Sequence, residues 1–170
     1  MNNLTLIIPA KNESESLPKV LDELKKYPYN ISIVLHESDK ETINSIKEYN
    51  AKIIYQKNFG YGDALIQGIN KCETKYFCIF NADGSFNPSE IDSMIDKTIN
   101  ENLDFVFASR YQKNSGSEDD TIVTLVGNYI FTILGKIFFK LNISDILYTY
   151  VLGKTKSAHK LKLNRKDSNI

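Results

Sequence analysis

The sequence predicts an α/β fold in which a mostly parallel sheet is flanked by helices. Short apolar runs alternate along the chain with longer segments whose apolar residues recur at helical spacing. The apolar runs lack the polar alternation of a half-exposed strand, as expected where both faces of a sheet are covered. With 170 residues, 42% hydrophobic and 25% charged, the chain has the size and composition of one globular domain.

The elements follow one another as repeated units of strand, loop and helix. The first strand is predicted over Leu4–Pro9 and the first helix over residues 17–26, with Pro18 suited to its first turn. One face of that helix is apolar and carries Val20, Leu21 and Leu24. The same pattern predicts four further strands, over residues 31–35, 52–55, 76–80 and 103–108. It predicts three further helices, over residues 41–49, 63–71 and 88–99.

The pattern changes after residue 110. Residues 112–120 are rich in Ser, Gly and acidic side chains and predict a surface loop. Residues 121–139 are largely apolar and predict a helix with a narrow polar stripe of three residues, Thr124, Asn128 and Thr132. We expect this apolar helical segment to pack against the sheet or to lie in a membrane interface. A span of the bilayer is the least favoured alternative, because it needs about 20 consecutive apolar residues.

The predicted domain therefore has three parts. Residues 1–111 form the α/β core, and residues 112–153 add the loop and the apolar helix to the same domain. Residues 154–170 carry six basic residues and one acidic residue. We expect a solvated, frayed tail there, with attraction to anionic lipid as the alternative.

Charge and cysteine content narrow the class of protein. Lys+Arg and Asp+Glu balance at 21 each, which argues against nucleic acid as a partner. Cys72 and Cys78 lack metal-ligand spacing to a second cysteine or histidine, so both are expected to be reduced core residues. The N-terminal residues show neither a basic segment nor a cleavage site, and a cytoplasmic location is the expectation.

The candidate site lies beyond the carboxyl ends of the strands, where parallel sheets bind their ligands. The segments that follow the strands are residues 10–13, 36–39, 58–63, 81–85 and 109–111. Four of these five segments contain a carboxylate, so a phosphate group would bind there only with the help of a metal cation. Asp83, directly after an apolar strand, is the candidate ligand for Mg²⁺ or Mn²⁺, although an ordinary Asp-Gly turn is the alternative.

Four ordered motifs resemble the family 2 inverting glycosyltransferases of GT-A fold, and most of all their dolichyl- or polyprenyl-phosphate mannose and glucose synthases. The motifs are residues 7–13, 58–65, 80–88 and 108–111. The likeness runs from Leu4 to about Tyr111, and more weakly to Lys154. It implies a GT-A, Rossmann-like fold and inverting transfer of a hexose from a nucleotide-diphosphate sugar to a polyprenyl phosphate or a glycan.

The resemblance also implies which residues bind the donor. Pro9, Ala10 and Glu13 match the first nucleotide-binding motif of the family. Glu37 falls where relatives carry an acidic residue that binds the nucleoside, although His36-Glu37-Ser38-Asp39 replaces the usual Asp-Asp-x-Ser. The glycine-rich turn before the third helix corresponds to Gly60 and Gly62.

The metal motif of the family, Asp-x-Asp, corresponds to Asn81-Ala82-Asp83. Asp83 takes the place of the more direct metal ligand, and the resemblance makes it a catalytic residue. Asn81 contributes a neutral oxygen to the metal or contacts the ribose. Because one carboxylate is missing, we expect weaker metal binding, with the site loaded together with the donor.

On the acceptor side, Arg110 matches the Ser-Arg that ends the fifth strand of relatives. A guanidinium suits a phosphate because its fork bonds two oxygens, so Arg110 is expected to be catalytic and to clamp a lipid phosphate. A hydroxyl acceptor needs a base, for which the acidic loop offers Glu118, Asp119 and Asp120, unless that loop is merely solvated. Asp145 matches an Asp of the relatives. The arginine that follows this Asp in relatives is missing here, and Lys154 is the candidate substitute for it.

The sequence bears on two alternative functions. Asn81 and the short C-terminal part suggest a degenerate or truncated module that binds nucleotide or a partner without turnover. A nucleotidyltransferase is disfavoured because residues 10–13 do not form the glycine-rich basic loop that such enzymes need after the first strand. If the acceptor is a polyprenyl phosphate, the protein is expected at the inner face of the membrane.

Overall fold

The computed structural model describes residues 3–109, 122–139, 144–145 and 147–163. Strands and helices alternate through most of this part of the chain. The strands are β1 (Leu4–Pro9), β2 (Asn30–Leu35), β3 (Lys52–Tyr55), β4 (Tyr76–Ile79), β5 (Phe105–Phe107) and β6 (Val151–Lys154). The helices are α1 (Leu17–Leu24), α2 (Lys40–Ser45), α3 (Tyr61–Asn70), α4 (Glu90–Asn100), α5 (Ile122–Phe139) and α6 (Thr155–Lys160).

The strands form one sheet in the order β3-β2-β1-β4-β6-β5. β1 pairs in parallel with both β2 and β4, and β2 pairs in parallel with β3. β6 runs antiparallel to β4. The predicted α/β class with a mostly parallel, helix-flanked sheet is confirmed. The strand order reverses between β1 and β4, which makes their carboxyl ends the expected place for a ligand.

The core lies on the sheet. All six residues of β1 and all four of β4 are buried, as expected for central strands covered on both faces. α1 buries its predicted apolar face, and each such side chain stabilises the fold by about 1.5–3 kcal/mol. Gly68 lets α3 approach β1 closely, because a Cβ atom at this position would lie 2.4 Å from Cγ2 of Ile7. Cys72 and Cys78 are free and buried, and burial raises the pKa of the Cys78 thiol.

The chain divides into two compact units, Met1–Val106 with Leu152–Ile170 and Phe107–Val151. In the second unit, two residues of the predicted polar stripe of α5 face inward: Asn128 and Thr132 are 1% and 5% exposed. Several apolar residues of the same helix are exposed, among them Tyr129, Ile130, Phe131, Ile137 and Phe138. These side chains are therefore not part of a packed core. None of the helices in the described ranges is long and apolar enough to cross a bilayer.

The expectation of a solvated tail from Lys154 is wrong over residues 154–163. β6 joins the sheet, and α6 buries Thr155 and Ala158 while its lysines face solvent. The Lys154 ammonium donates to Oδ1 of Asn102 at 2.7 Å and lies 3.8 Å from an Asp104 oxygen. The basic composition suggested solvation, but the few small residues between the charges are enough to pack α6.

Candidate functional site

A cavity of about 880 Å³ opens where the loops after β1, β2, β3 and β4 meet. Its size is within the range of small-molecule sites. Six of the eight predicted donor-binding residues line it: Pro9, Ala10, Glu13, Gly60, Asn81 and Asp83. Glu37 and Gly62 do not, and their part in donor binding stays a prediction. The four loops thus converge as the sequence predicted.

Asp39 fixes the loop after β1. Its Oδ2 accepts a hydrogen bond of 2.7 Å from the backbone N–H of Asn12, whose φ of 59° lies in the left-handed region. Its Oδ1 accepts from the N–H of Thr42 and so caps α2. The Thr42 hydroxyl accepts from the N–H of Glu13 at 2.9 Å. The sequence placed Asp39 in one of the strand-end segments of the site without giving it a role, although an Asp before a helix is a recognisable cap signal.

His36 and Phe59 bring two aromatic rings to the same cavity. Their centroids are 4.1 Å apart and their planes differ by 23°. The Oγ atom of Ser38 lies 2.7 Å from Nδ1 of His36. Phe59 lies within the predicted segment of residues 58–63, but no local pattern marks a loop phenylalanine as a partner of a distant histidine.

The loop after β4 presents two oxygens that have no partner among the described residues. Oδ1 of Asp83 accepts from the N–H of Ser85 at 2.9 Å, which leaves Oδ2. Nδ2 of Asn81 donates to the Ser85 hydroxyl at 3.0 Å, which leaves Oδ1. Gly84, with a φ of 82°, makes the turn between Asp83 and Ser85. One carboxylate oxygen and one amide oxygen suit a hard cation that takes its other ligands from phosphate and water.

The charges around the cavity are mixed. Its lining carries the carboxylates of Glu13, Asp39, Glu41 and Asp83 and the ammonium groups of Lys11 and Lys40. An anionic ligand therefore meets more negative than positive side chains, which favours entry together with a cation. Within the described ranges no three His, Cys, Asp or Glu residues are grouped as a ready metal site.

The predicted acceptor residues are in a different position. Arg110 and Asp120 lie outside the described residues. Asp145 belongs to the second unit and is buried, with 2% of its surface exposed. Its Oδ1 accepts from Nδ2 of Asn128 at 2.6 Å and from the N–H of Tyr148 at 3.2 Å.

Comparison with known proteins agrees with this arrangement of fold and cavity. Residues 5–162 match the family described as Glycosyl transferase family 2. The chain belongs to glycosyl transferase family 2. The resemblance drawn from the four sequence motifs is thereby confirmed.

This family 2 chain has relatives of known and unknown activity. It is 28% identical over 145 residues to a UDP-N-acetylglucosamine–dolichyl-phosphate N-acetylglucosaminyltransferase of Methanococcus voltae, covering 72% of this chain and 58% of the relative. It is 25% identical over 134 residues to an uncharacterized protein of Methanocaldococcus jannaschii, covering 75% of this chain and 55% of the relative. The chain thus spans little more than half the length of these relatives.

Solved structures show the same fold as this family 2 chain. Glucosyl-3-phosphoglycerate synthase from Mycobacterium tuberculosis, in complex with Mn²⁺, UDP and glucosyl-3-phosphoglycerate, gives a TM-score of 0.70 at 12% identity. The match covers 90% of this chain and 57% of that one. Mannosyl-3-phosphoglycerate synthase from Rubrobacter xylanophilus gives 0.69 at 14% identity, over 91% of this chain and 53% of that one. The expected GT-A fold is confirmed.

Proposed function

We propose that this chain is the donor-binding and catalytic core of an inverting hexosyltransferase that uses a nucleotide-diphosphate sugar. The observation that carries the proposal is the convergence of four strand-end loops, including Asn81 and Asp83, on one cavity at the point where the strand order reverses. The acceptor oxygen attacks the anomeric carbon from the face opposite the diphosphate. The bond from that carbon to the diphosphate breaks, and the nucleoside diphosphate leaves with the electron pair.

Asp83 and Asn81 are the residues that would hold Mg²⁺ or Mn²⁺ together with the donor diphosphate. Each has one oxygen without a partner among the described residues, so neither has to give up a hydrogen bond. The cation, when bound, neutralises charge on the leaving diphosphate. The Ser85 contacts hold the two side chains of this chain in place before the donor arrives. The Mn²⁺ and UDP in the structure of glucosyl-3-phosphoglycerate synthase support this assignment.

The proposed acceptor is a polyprenyl phosphate, with a glycan as the alternative. The dolichyl-phosphate in the name of the Methanococcus voltae relative supports the first choice. A phosphate acceptor is already anionic, so Arg110 would act as its clamp and no base would be needed. With a glycan hydroxyl, Asp120 would be the candidate base. Asp145 remains a proposed acceptor-side residue whose buried position favours an indirect role.

A lipid acceptor requires contact with a membrane surface. We propose that α5 provides this contact, at the cytoplasmic face of the membrane. Tyr129, Ile137 and Phe138 are 68%, 65% and 72% exposed, and Ile130 and Phe131 extend the same apolar surface. Helices that lie in the bilayer interface expose apolar side chains in this way. The inward position of Asn128 and Thr132 supports the same orientation.

Calorimetry with UDP-sugars and GDP-mannose in the presence of Mn²⁺ tests the donor proposal. We expect the wild-type protein to bind at least one of these donors and Asp83→Ala to lose most of that affinity. Asp96→Ala, which removes an exposed carboxylate of α4, serves as the matched control and should bind as wild type. Absence of binding to every donor, or equal binding by Asp83→Ala, would refute the proposal.

The amide at Asn81 favours a second candidate function, that of a module which binds nucleotide without turnover. A chain of this kind would bind the donor in calorimetry and release no nucleoside diphosphate when incubated with polyprenyl phosphate and Mn²⁺. Release that depends on Arg110 would exclude it.

A further inference from the structure

The stacked rings of His36 and Phe59 are a feature of the cavity that the proposed chemistry does not use. Phe59 is 60% exposed although one of its sides meets the imidazole. A single exposed aromatic residue is common on protein surfaces and needs no explanation. His36 and Phe59 differ from such a residue, because the two rings are stacked, line a ligand cavity and are each held in place by hydrogen bonds of their own loop.

The imidazole is held by the loop that carries it. The backbone N–H of Ser38 lies 3.2 Å from Nδ1 of His36, and an N–H group can only donate. Nδ1 therefore accepts, which in the neutral ring places the proton on Nε2. The two contacts with Ser38 fix the orientation of the imidazole against Phe59.

The loop that carries Phe59 is also braced. Nε2 of Gln56 donates to the carbonyl oxygens of Asn58 and of Gly60, the latter at 3.3 Å. The Asp63 carboxylate accepts from the N–H of Asn58 at 3.2 Å and from its Nδ2 at 3.0 Å. Since the loop is fixed on both sides of Phe59, little conformational freedom is lost when a ligand covers the ring.

The strand order determines which part of a nucleotide would reach these rings. Asp83 follows β4, whereas His36 follows β2 and Phe59 follows β3, two and three strands away in the sheet. At the usual strand spacing this separation is roughly 10–15 Å. A nucleoside diphosphate is about this long, so a diphosphate beside Asp83 puts its base beside the rings.

We propose that His36 and Phe59 form the nucleobase contact of the donor site: the base stacks on the face of Phe59 that His36 leaves open, and His36 supports Phe59 from the opposite face. The pair would then take the role that the sequence resemblance gave to Glu37, which does not line the cavity. This inference rests on the proposed function, because it needs a nucleotide donor.

The test compares a ligand that has a base with one that has none. UDP, GDP and inorganic pyrophosphate are titrated with Mn²⁺ into the wild type and into Phe59→Leu, which keeps an apolar side chain and removes the ring. Stacking of a base on an aromatic side chain leads us to expect that Phe59→Leu weakens binding of the preferred nucleotide about 5–150-fold. Pyrophosphate affinity should stay the same, and Phe59→Tyr should restore most of the lost affinity. Tyr55→Leu, which removes an exposed ring of β3 that does not line the cavity, controls for general effects.

The outcomes separate this inference from the proposed function. If the wild type binds UDP or GDP and Phe59→Leu binds it equally well, the inference is overturned and the proposed function stands. Parallel losses of nucleotide and pyrophosphate affinity also overturn it, because they indicate a collapsed cavity. If the wild type binds pyrophosphate but neither nucleotide more tightly, both proposals fail. His36→Ala, which removes the ring behind Phe59, should weaken UDP or GDP binding and leave pyrophosphate binding unchanged.

Discussion

Nδ2 of Asn128 donates a hydrogen bond of 2.6 Å to Oδ1 of Asp145, and both side chains are buried. This pair explains why the inward side of α5 is polar. The carboxylate of Asp145 also accepts from the N–H of Tyr148, so it joins α5 to the segment before β6 within the second unit. A buried carboxylate depends strongly on such donors because it has lost its water.

Removing the donor in Asn128→Ala should therefore destabilise the second unit. We expect a loss of about 1–3 kcal/mol in the free energy of unfolding, the cost of a buried polar group left without its partner. Urea denaturation followed by circular dichroism measures it. Lys136→Ala, an exposed change on the same helix, should stay within about 0.5 kcal/mol of the wild type. Equal stability of both variants would mean that the pair contributes nothing.

Asp39→Ala should affect both stability and donor binding, because it removes the cap of α2 and the acceptor for the Asn12 N–H. The cap alone is worth about 0.5–2 kcal/mol. Asp39→Asn keeps a side-chain oxygen and should recover most of the stability. Thermal unfolding and donor titration measure the two effects, with Glu48→Ala on the exposed surface as control. If Asp39→Ala unfolds at a lower temperature but binds the donor with wild-type affinity, Asp39 acts only as the cap of α2.

Asn81→Asp should strengthen Mn²⁺ binding in the absence of donor. One added carboxylate at an exposed site contributes up to about 1 kcal/mol, or about fivefold in affinity. Titration of free Mn²⁺ by electron paramagnetic resonance measures this directly. The comparison variant is Asn81→Ala, which removes the amide oxygen and should bind Mn²⁺ no better than wild type. Unchanged affinity in Asn81→Asp would show that residue 81 does not contact the cation.

Replacing Phe131 and Phe138 together by Ser should reduce binding to anionic phospholipid vesicles. Both rings are more than half exposed. Each substitution removes apolar surface, and binding at a bilayer interface depends on that surface. We expect at least a tenfold drop in the partition coefficient, at about 0.8 kcal/mol per buried methylene equivalent. Co-sedimentation with vesicles measures it, and Tyr55→Ser provides an exposed aromatic change in the first unit. Binding that survives the double substitution would assign the membrane contact elsewhere.

The features that the sequence predicts well depend on local patterns. Asn81 and Asp83 follow an apolar strand directly, and their position at the cavity needs only the rule for parallel sheets. The roles of Asp39 and of the inward side of α5 depend on partners 27 and 17 residues away, Asn12 and Asp145. No periodicity encodes such a distance. The solvated tail was mispredicted for the same reason, since β6 pairs with a strand from the middle of the chain.

The position of β6 between β4 and β5 has a consequence for how the chain is made. β5 leaves the ribosome well before β6 does, yet it cannot join the sheet until β6 has been synthesised and inserted beside β4. Residues 107–151, which form the second unit, emerge in the interval. The order of synthesis thus differs from the order of assembly, and closure of the first unit is a late, long-range event in folding. A ribosome-bound chain that ends before residue 151 would hold the four paired strands β1 to β4, while β5 would have no neighbouring strand to pair with.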